Sequence, residues 1–421
     1  MEEDVFLNRA WRWLQSQPMA CLLDSAGTIG ERSETSYLSG PITRTIVDWG
    51  DRLESVERQR SSTITAIDLE AALRDVEQNT HGAVFSLVCY EGLNPWVKPS
   101  IPHPVWQGPR VIWAFTPEYW TYNRRRKTLT GPKMPDESAQ TSPVGTEPDA
   151  IGWRDTQTEY EEKIRHIQLD IREGEYYQAN LSQRFVGLFA ETPQNIYMRL
   201  RQLNPSPYMG VFRWHGNWVL SGSPELLVSR RGSTLASRPI AGTRPRGQNP
   251  QDDQALRLEL NSDSKEQAEH LMLVDLIRND LGRIATPGGV NVPEYAVIES
   301  YSHVHHLVSQ VTAMLAADKT NMDVLRSMFP GGTITGTPKI ACMQALAKLE
   351  GEARGPYTGS MGIIRPGGAM DFNILIRTLI QRGSYVCFHG GGGIVADSQP
   401  TAEYAETLHK MKALMLALGM D

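Results

Sequence analysis

An arginine, a run of four glycines, two glutamates and a lysine follow one another over residues 370–410, in the segments MDFNILIRT, GGGGIVADS and AEYAETLHK. These are groups that take up small anions and hard cations. Alternation along 372–379 predicts a strand with Arg377 on one face and Ile374, Ile376 and Thr378 on the other. The guanidinium then offers a rigid fork to a carboxylate. Gly390, Gly391, Gly392 and Gly393 carry no Cβ, so their N–H groups can approach an anion closely, in the concave arrangement called a nest. Beyond Ser398 the periodicity turns helical, and Glu403, Glu406 and Lys410 recur at steps of three and four on one face. Alone, such a face would be a solvated ion-pair ladder. Beside an arginine and four glycines it reads as a site for an anion and a metal.

A second group of acids lies in the helix predicted over 263–284, where Glu266 and Glu269 share a face and Asp275, Arg278, Asn279 and Asp280 follow. Ion pairing accounts for such density by itself. Joined to Glu406, however, Glu269 completes a two-carboxylate site of the kind magnesium takes together with water and substrate oxygens. In YSHVHHLVS, residues 301–309, strand alternation separates His303 and His305 from His306. One reading is a buried histidine with satisfied hydrogen bonds; the other is a general acid for a departing hydroxyl. FPGGTITGTPK, residues 329–339, has glycines like those of a phosphate loop, but Thr337 and Pro338 stand where lysine and Ser or Thr are required, so ATP binding is not supported. The segment is expected to shape a pocket wall. Residues 390–395 lack the third glycine of a dinucleotide fingerprint. SGSPEL, residues 221–226, lacks the glycine that closes a nucleophile elbow, which leaves Glu225 as a candidate base.

The elements that must position these groups come from a chain of 421 residues, 40% hydrophobic and 21% charged, ample for a sizeable core. Short apolar runs at 83–89 and 111–115 and a helical stretch at 67–78 make the first third α plus β. Residues 127–155, rich in Pro, Gly, Ser, Thr and acids, predict an exposed connection between an N-terminal region, 1–126, and a catalytic region, 156–421. Further on, helices are predicted over 160–173, 263–284 and 337–349, and strands over 179–188 and 208–220. In the 337–349 helix Thr337 would cap, Pro338 would take the first position, Ile340, Met343, Leu346 and Leu349 would bury one stripe, and Gly351 would stop it. A net charge of −6 gives no attraction for nucleic acid, and Arg124, Arg125, Arg126 and Lys127 read as a solvated loop. Four scattered cysteines imply reduced thiols rather than a zinc or redox motif. With no membrane-length apolar run and no signal-peptide pattern, a soluble, cytoplasmic protein is expected.

Taken in order, QANLSQRF (178–185), NPSPYM (204–209), PIAGTRPRG (239–247), AEHLMLVDLIRNDLGR (268–283), HVHHLVS (303–309), FPGGTITGTPK, MDFNILIRT and GGGGIVADSQ resemble the chorismate-utilising enzymes over about 160–416. Within them the chain is most similar to component I of aminodeoxychorismate synthase, with component I of anthranilate synthase a close relative. The resemblance implies an α+β fold of two packed sheets flanked by helices, with the active site in the cleft between them. It makes Glu269 and Glu406 magnesium ligands, and places Arg377, Lys410, Gly391 and Gly393 around chorismate's carboxylates. Glu225 and His306 would flank the ring as base and acid, with Tyr357, Thr333, Gly242 and Thr243 lining it.

Gln178 stands where members of the family that add water carry a lysine, so the resemblance implies ammonia as the nucleophile. No cysteine sits in a Gly-x-Cys-x-Gly setting, so the ammonia is expected from a separate class I glutaminase subunit. The implied product is 4-amino-4-deoxychorismate, on the way to para-aminobenzoate and folate. Ala241 departs from this, because aminodeoxychorismate synthases commonly carry a lysine there as a nucleophile; alanine is the habit of anthranilate synthases. LLDS at 22–25 and NPSPYM could keep a tryptophan pocket through Ser25, Pro205, Tyr208 and Met209, or Pro-Ser-Pro could simply shape a turn. An alternative of another class is a catalytically silent homologue that binds tryptophan or a glutaminase.

Overall fold

The alternating apolar runs pair into two antiparallel sheets, as seen in a computed structural model that describes residues 1–30, 33–57, 60–79, 81–93, 101–135, 151–300 and 304–420. The first sheet runs, edge to edge, through Gly152–Trp153, Gln178–Leu188, Tyr385–Ile394, Thr378–Arg382, Asn217–Ser221, Met209–Trp214, Met19–Asp24, Thr35–Ser39, Tyr119–Asn123 and Thr128–Thr130. Gly336–Thr337 adds to its Gln178–Leu188 strand. The second sheet runs through Ile240–Pro245, Val304–Leu315, Thr234–Arg238, Leu226–Arg231, Met370–Asn373, Ser360–Ile364, Ala83–Val88, Val111–Thr116, Arg44–Asp48, Leu53–Glu57 and Arg60–Ile64. Ala285–Ser300 pairs beside Val304–Leu315.

The sheets pack face to face over a layer that includes Cys21, Phe85, Ile112, Phe212, Ile363 and Cys387. Outside the first sheet lie the helices Glu3–Ser16, Pro193–Leu203 and Pro400–Ala417, held through Trp11, Leu200, Met411 and Leu414. Outside the second lie Ala66–Gln78, Ser264–Gly282 and Asn321–Met328, held through Leu69, Ile277 and Val324. This is the expected α+β arrangement. Residues 1–126 supply strands to both sheets, so their hydrogen bonds are interleaved with those of the C-terminal residues. The four cysteines are free and buried. Among the described residues no helix is long and apolar enough to cross a membrane.

The chain passes between the sheets at two adjacent places that matter for function. Asn217–Ser221 belongs to the first sheet and Leu226–Arg231 to the second; Met370–Asn373 belongs to the second and Thr378–Arg382 to the first. The two crossovers, 222–225 and 374–377, lie side by side: the Gly222 N–H donates to the Arg377 carbonyl at 2.9 Å and the Ile374 N–H to the Glu225 carbonyl at 3.0 Å. The single strand expected over 372–379 is therefore broken. Leaving one sheet for the other requires a turn, and Arg377 makes it with a left-handed φ of +50°.

Other expectations are also adjusted. The 208–220 run is a hairpin, turned at His215 and Gly216 with φ of 42° and 87°, as a two-residue hairpin loop with positive φ at both positions requires. The 337–349 helix starts at Lys339, with no side-chain cap, because Thr337 is drawn into pairing with Gln178. Met343 and Leu346 are fully buried, whereas Ile340 is 47% exposed and does not belong to the buried stripe; Gly351 ends the helix in the left-handed region. Arg124 is buried rather than solvated, donating to Glu3 and to the carbonyls of Ser33 and Gly27. Of the expected connection, 128–130 and 152–153 are strand, and 136–150 lie outside the described residues.

Candidate active site

Glu225 emerges from the first crossover, almost fully buried. Its carboxylate accepts from Thr333 Oγ1 at 2.9 Å, and burial pushes its pKa up to about 7 against the opposing pull of that bond and of Arg377 and Lys410. Arg377 emerges from the second crossover, where burial lowers its pKa and the charge of Glu225 opposes the shift. Its Nη1 donates to Asn204 Oδ1 at 2.7 Å.

Across from them, Ile240–Pro245 pairs with Val304–Leu315, and the register slips between Ala241 and Thr243. Gly242 is the extra residue of this bulge, with φ +58°; a Cβ there would come within 2.7 Å of Leu260 Cδ1 and 3.0 Å of Glu266 Oε2. The bulge brings Thr243 opposite His306, whose Nδ1 lies 3.0 Å from Thr243 Oγ1 and 3.2 Å from the Gly242 carbonyl. A carbonyl only accepts, so the proton is assigned to Nδ1. Burial and the charge of Arg377 hold the His306 pKa down to about 4. His305 points the other way as expected, bonding Ser300 and Asp253; His303 lies outside the described residues. At neutral pH, then, Glu225 is divided between its acid and carboxylate forms, whereas His306 is neutral.

Gly390–Gly393 do not form a nest. They lie in the extended strand Tyr385–Ile394, in unbroken register with Gln178–Leu188, and none has positive φ. The glycines act by leaving room. A Cβ on Gly391 would sit 2.6 Å from the Leu181 carbonyl and 3.1 Å from the Tyr357 hydroxyl; one on Gly393 would sit 2.0 Å from Gln178 Nε2 and 3.5 Å from Glu269 Oε1. One on Gly392 would meet Glu403 at 3.5 Å, Lys410 at 3.7 Å and Glu406 at 3.9 Å. The helices Ser264–Gly282 and Pro400–Ala417 thus deliver their acids to one stretch of bare backbone. Beyond Phe388 the glycine strand has lost its Thr378–Arg382 neighbour, and Lys410 Nζ donates to the Gly391 carbonyl at 3.2 Å.

Glu269 and Glu406 are the carboxylates here whose chemistry suits a hard divalent cation. Glu269 has its pKa raised by burial and then by the charge of Glu266, with Glu406 adding to it, while Gln178 donates to its Oε1 at 3.2 Å. Lys410 offsets the gathered charge through a 2.7 Å pair with Glu406 that is about half exposed. That charge brings Glu406 below the usual carboxylate range although burial opposes it. Carboxylate oxygens with an excess of like charge are what magnesium relieves. Among the described residues, His103, Cys387 and His389 are the set of possible ligands that cluster within 4.8 Å, in the layer between the sheets. There His103 Nδ1 accepts from the N–H groups of Val105 and Trp106, so its proton is on Nε2, facing the Cys387 sulfur at 3.8 Å. That cluster is a hydrogen-bonded part of the core.

One wall was not anticipated. Arg354 and Glu350 form a fully buried pair at 2.6 Å, and Arg354 also donates to the carbonyls of Asn180 and Ile334 while lying 5.9 Å from the centre of the Tyr357 ring. It thereby ties together the strand carrying Asn180, the turn carrying Thr333 and the ring of Tyr357. A Glu-to-Arg step of four around Gly351 was the available signal, but it looks like any exposed helix pair. Near the other end of the site, Ser25 donates to the Pro207 carbonyl at 3.1 Å and Met209 pairs with Asp24, so LLDS and NPSPYM do meet.

The family described as chorismate binding enzyme matches residues 20–416. The chain belongs to this family. It is 47% identical over 277 residues to anthranilate synthase component 1 of Aquifex aeolicus, covering 65% of this chain and 56% of that protein. It is 44% identical over 266 residues to aminodeoxychorismate synthase component 1 of Bacillus subtilis, covering 63% and 57%. The matches thus span little more than half the length of these curated relatives. The crystal structure of anthranilate synthase component I from Streptococcus pneumoniae superposes with a TM-score of 0.77 at 28% identity, covering 92% of this chain and 93% of that one. Both branches are therefore among the relatives of this chain.

Proposed function

We propose that the protein aminates chorismate to 4-amino-4-deoxychorismate, with ammonia from a separate glutaminase. The observation that carries the choice of nucleophile is Gln178: an amide, engaged with Glu269 and pressed over Gly393, cannot take a proton from water. The choice of product rests on QANLSQRF, HVHHLVS and GGGGIVADSQ, which resemble the aminodeoxychorismate branch. Glu269 and Glu406 would hold magnesium, which when bound would neutralise substrate carboxylate charge and orient the ring. Arg377, Lys410 and the backbone of the glycine strand bind the carboxylates. Glu225, carrying a proton near neutrality, protonates the departing hydroxyl, and neutral His306, fixed by Gly242 and Thr243, orients the ring opposite.

The second reading is anthranilate formation, favoured by Ala241, which lies buried beside the bulge with no nucleophile to offer, and by the anthranilate synthase relatives. A product assay with chorismate, magnesium and ammonium, with and without aminodeoxychorismate lyase, separates the two. The proposal expects para-aminobenzoate only when lyase is present; fluorescent anthranilate without lyase would replace it with the second reading.

A further inference from the structure

We propose that Asn204 is a positioning residue that sets the aim of Arg377, and through it the affinity for the substrate's carboxylate. The inference rests on Arg377 being the anchor proposed above. Arg377 is the one member of the site whose backbone is in the left-handed region without being glycine, so no strand or helix periodicity directs its side chain. Asn204 supplies that direction. It closes the helix Pro193–Leu203, its N–H donating to the Leu200 carbonyl at 2.8 Å, and its amide reaches across to the two crossovers. Nδ2 donates to the Gly222 carbonyl at 2.8 Å and to Ser206 Oγ at 3.2 Å. A carbonyl cannot donate and a guanidinium cannot accept, so the amide has one orientation that satisfies both neighbours, with Oδ1 turned to Arg377 Nη1 at 2.7 Å.

Gly222 completes the clamp, its N–H holding the Arg377 carbonyl at 2.9 Å; a Cβ on it would lie 3.1 Å from Asn204 Nδ2. Asn204 therefore grips the guanidinium while its neighbour grips the peptide. Because the acceptor is neutral, Arg377 is oriented without being neutralised, and its positive charge remains for the substrate. The charge that acts on Arg377 within the site is that of Glu225 when it is ionised.

Asn204→Asp tests this directly. The carboxylate keeps an acceptor on Arg377 but adds a competing negative charge and loses the donor to Gly222, so the substrate must displace an internal ion pair. We expect KM for chorismate to rise about tenfold or more, with kcat within about threefold, and Asn204→Ala to raise KM by a smaller factor. Arg377→Met should raise KM by itself, and in that background Asn204→Asp should change KM by less than about twofold, because its effect runs through the missing guanidinium. A merely structural role would lower melting temperature and activity alike in both backgrounds. If Arg377→Met raises KM while the Asn204 variants leave it unchanged, or if the two effects are additive, the inference is wrong and the anchor stands. If Arg377→Met leaves KM unchanged, the anchor itself falls, and the inference with it.

Discussion

The glycine strand with its C-terminal helix and the pair of crossovers present charged side chains to the same cleft by opposite means. In the first, regular elements do the positioning. Glu403, Glu406 and Lys410 share a face because a helix repeats every 3.6 residues, and Gly391 and Gly393 meet Tyr357, Gln178 and Glu269 because a strand alternates. In the second, regularity is interrupted: Glu225 and Arg377 reach the site because two segments leave one sheet for the other at the same place. Periodicity makes a site legible, whereas the breaks in periodicity hold the left-handed backbone of Arg377 and the buried carboxyl of Glu225.

The largest expected effect tests the regular half. Glu406→Gln should bring turnover to background while melting temperature hardly changes, since the side chain is about half exposed and volume is preserved. Wild-type rates in that variant would remove Glu406 from the cation site. Gly391→Val comes next. Its new side chain meets the Leu181 carbonyl, which as backbone in a sheet cannot move aside, so unfolding in urea should show a loss of about 1–3 kcal/mol along with lost activity. A variant as stable as wild type would mean that the glycine strand yields more easily than its close contacts imply.

The crossovers should respond in the contrary direction, with function and stability moving apart. The Glu225 pKa is raised on folding, so the native state binds the proton more tightly than the unfolded chain does. The stability this contributes is complete below the ordinary carboxylate range and is lost as pH rises through about 7. Glu225→Gln should therefore make the protein more stable than wild type at pH 8, by on the order of 1–3 kcal/mol, and not at pH 4. Denaturant midpoints at the two pH values check this. Catalysis carries the same sign: at fixed free ammonia, wild-type kcat/KM should fall as pH rises through about 7, because the acid must be protonated. A profile that rises over that range would restore Glu225 to the role of base. The smallest effect is expected of Arg377→Gly. Relief of the left-handed backbone, about 1 kcal/mol, is offset by glycine's added freedom in the unfolded chain, so stability should stay within about 0.5 kcal/mol while chorismate binding weakens.

The sequence by itself determined the family, the acids, the helices that bear them and the direction of the histidines, because each follows from motif identity or from a periodicity that burial of one face enforces. Glu266 and Glu269 fall in the helix Ser264–Gly282, and His305 and His306 on opposite faces of Val304–Leu315, as spacing alone requires. Tertiary structure decided what local pattern cannot encode. The run 372–379 has the alternation of one strand, yet its two halves find better partners in different sheets, and only those partners put Arg377 at the break. Gly390–Gly393 look like an anion nest until ten consecutive residue pairs with Gln178–Leu188 hold them extended. Arg124 reads as a surface charge, and no motif singles out Arg354, because nothing nearby in sequence reveals the distant carbonyls and carboxylates that satisfy them. A pKa likewise depends on which groups folding has gathered around it and how much water it has removed, and so the raised pKa of Glu225 came from the structure alone.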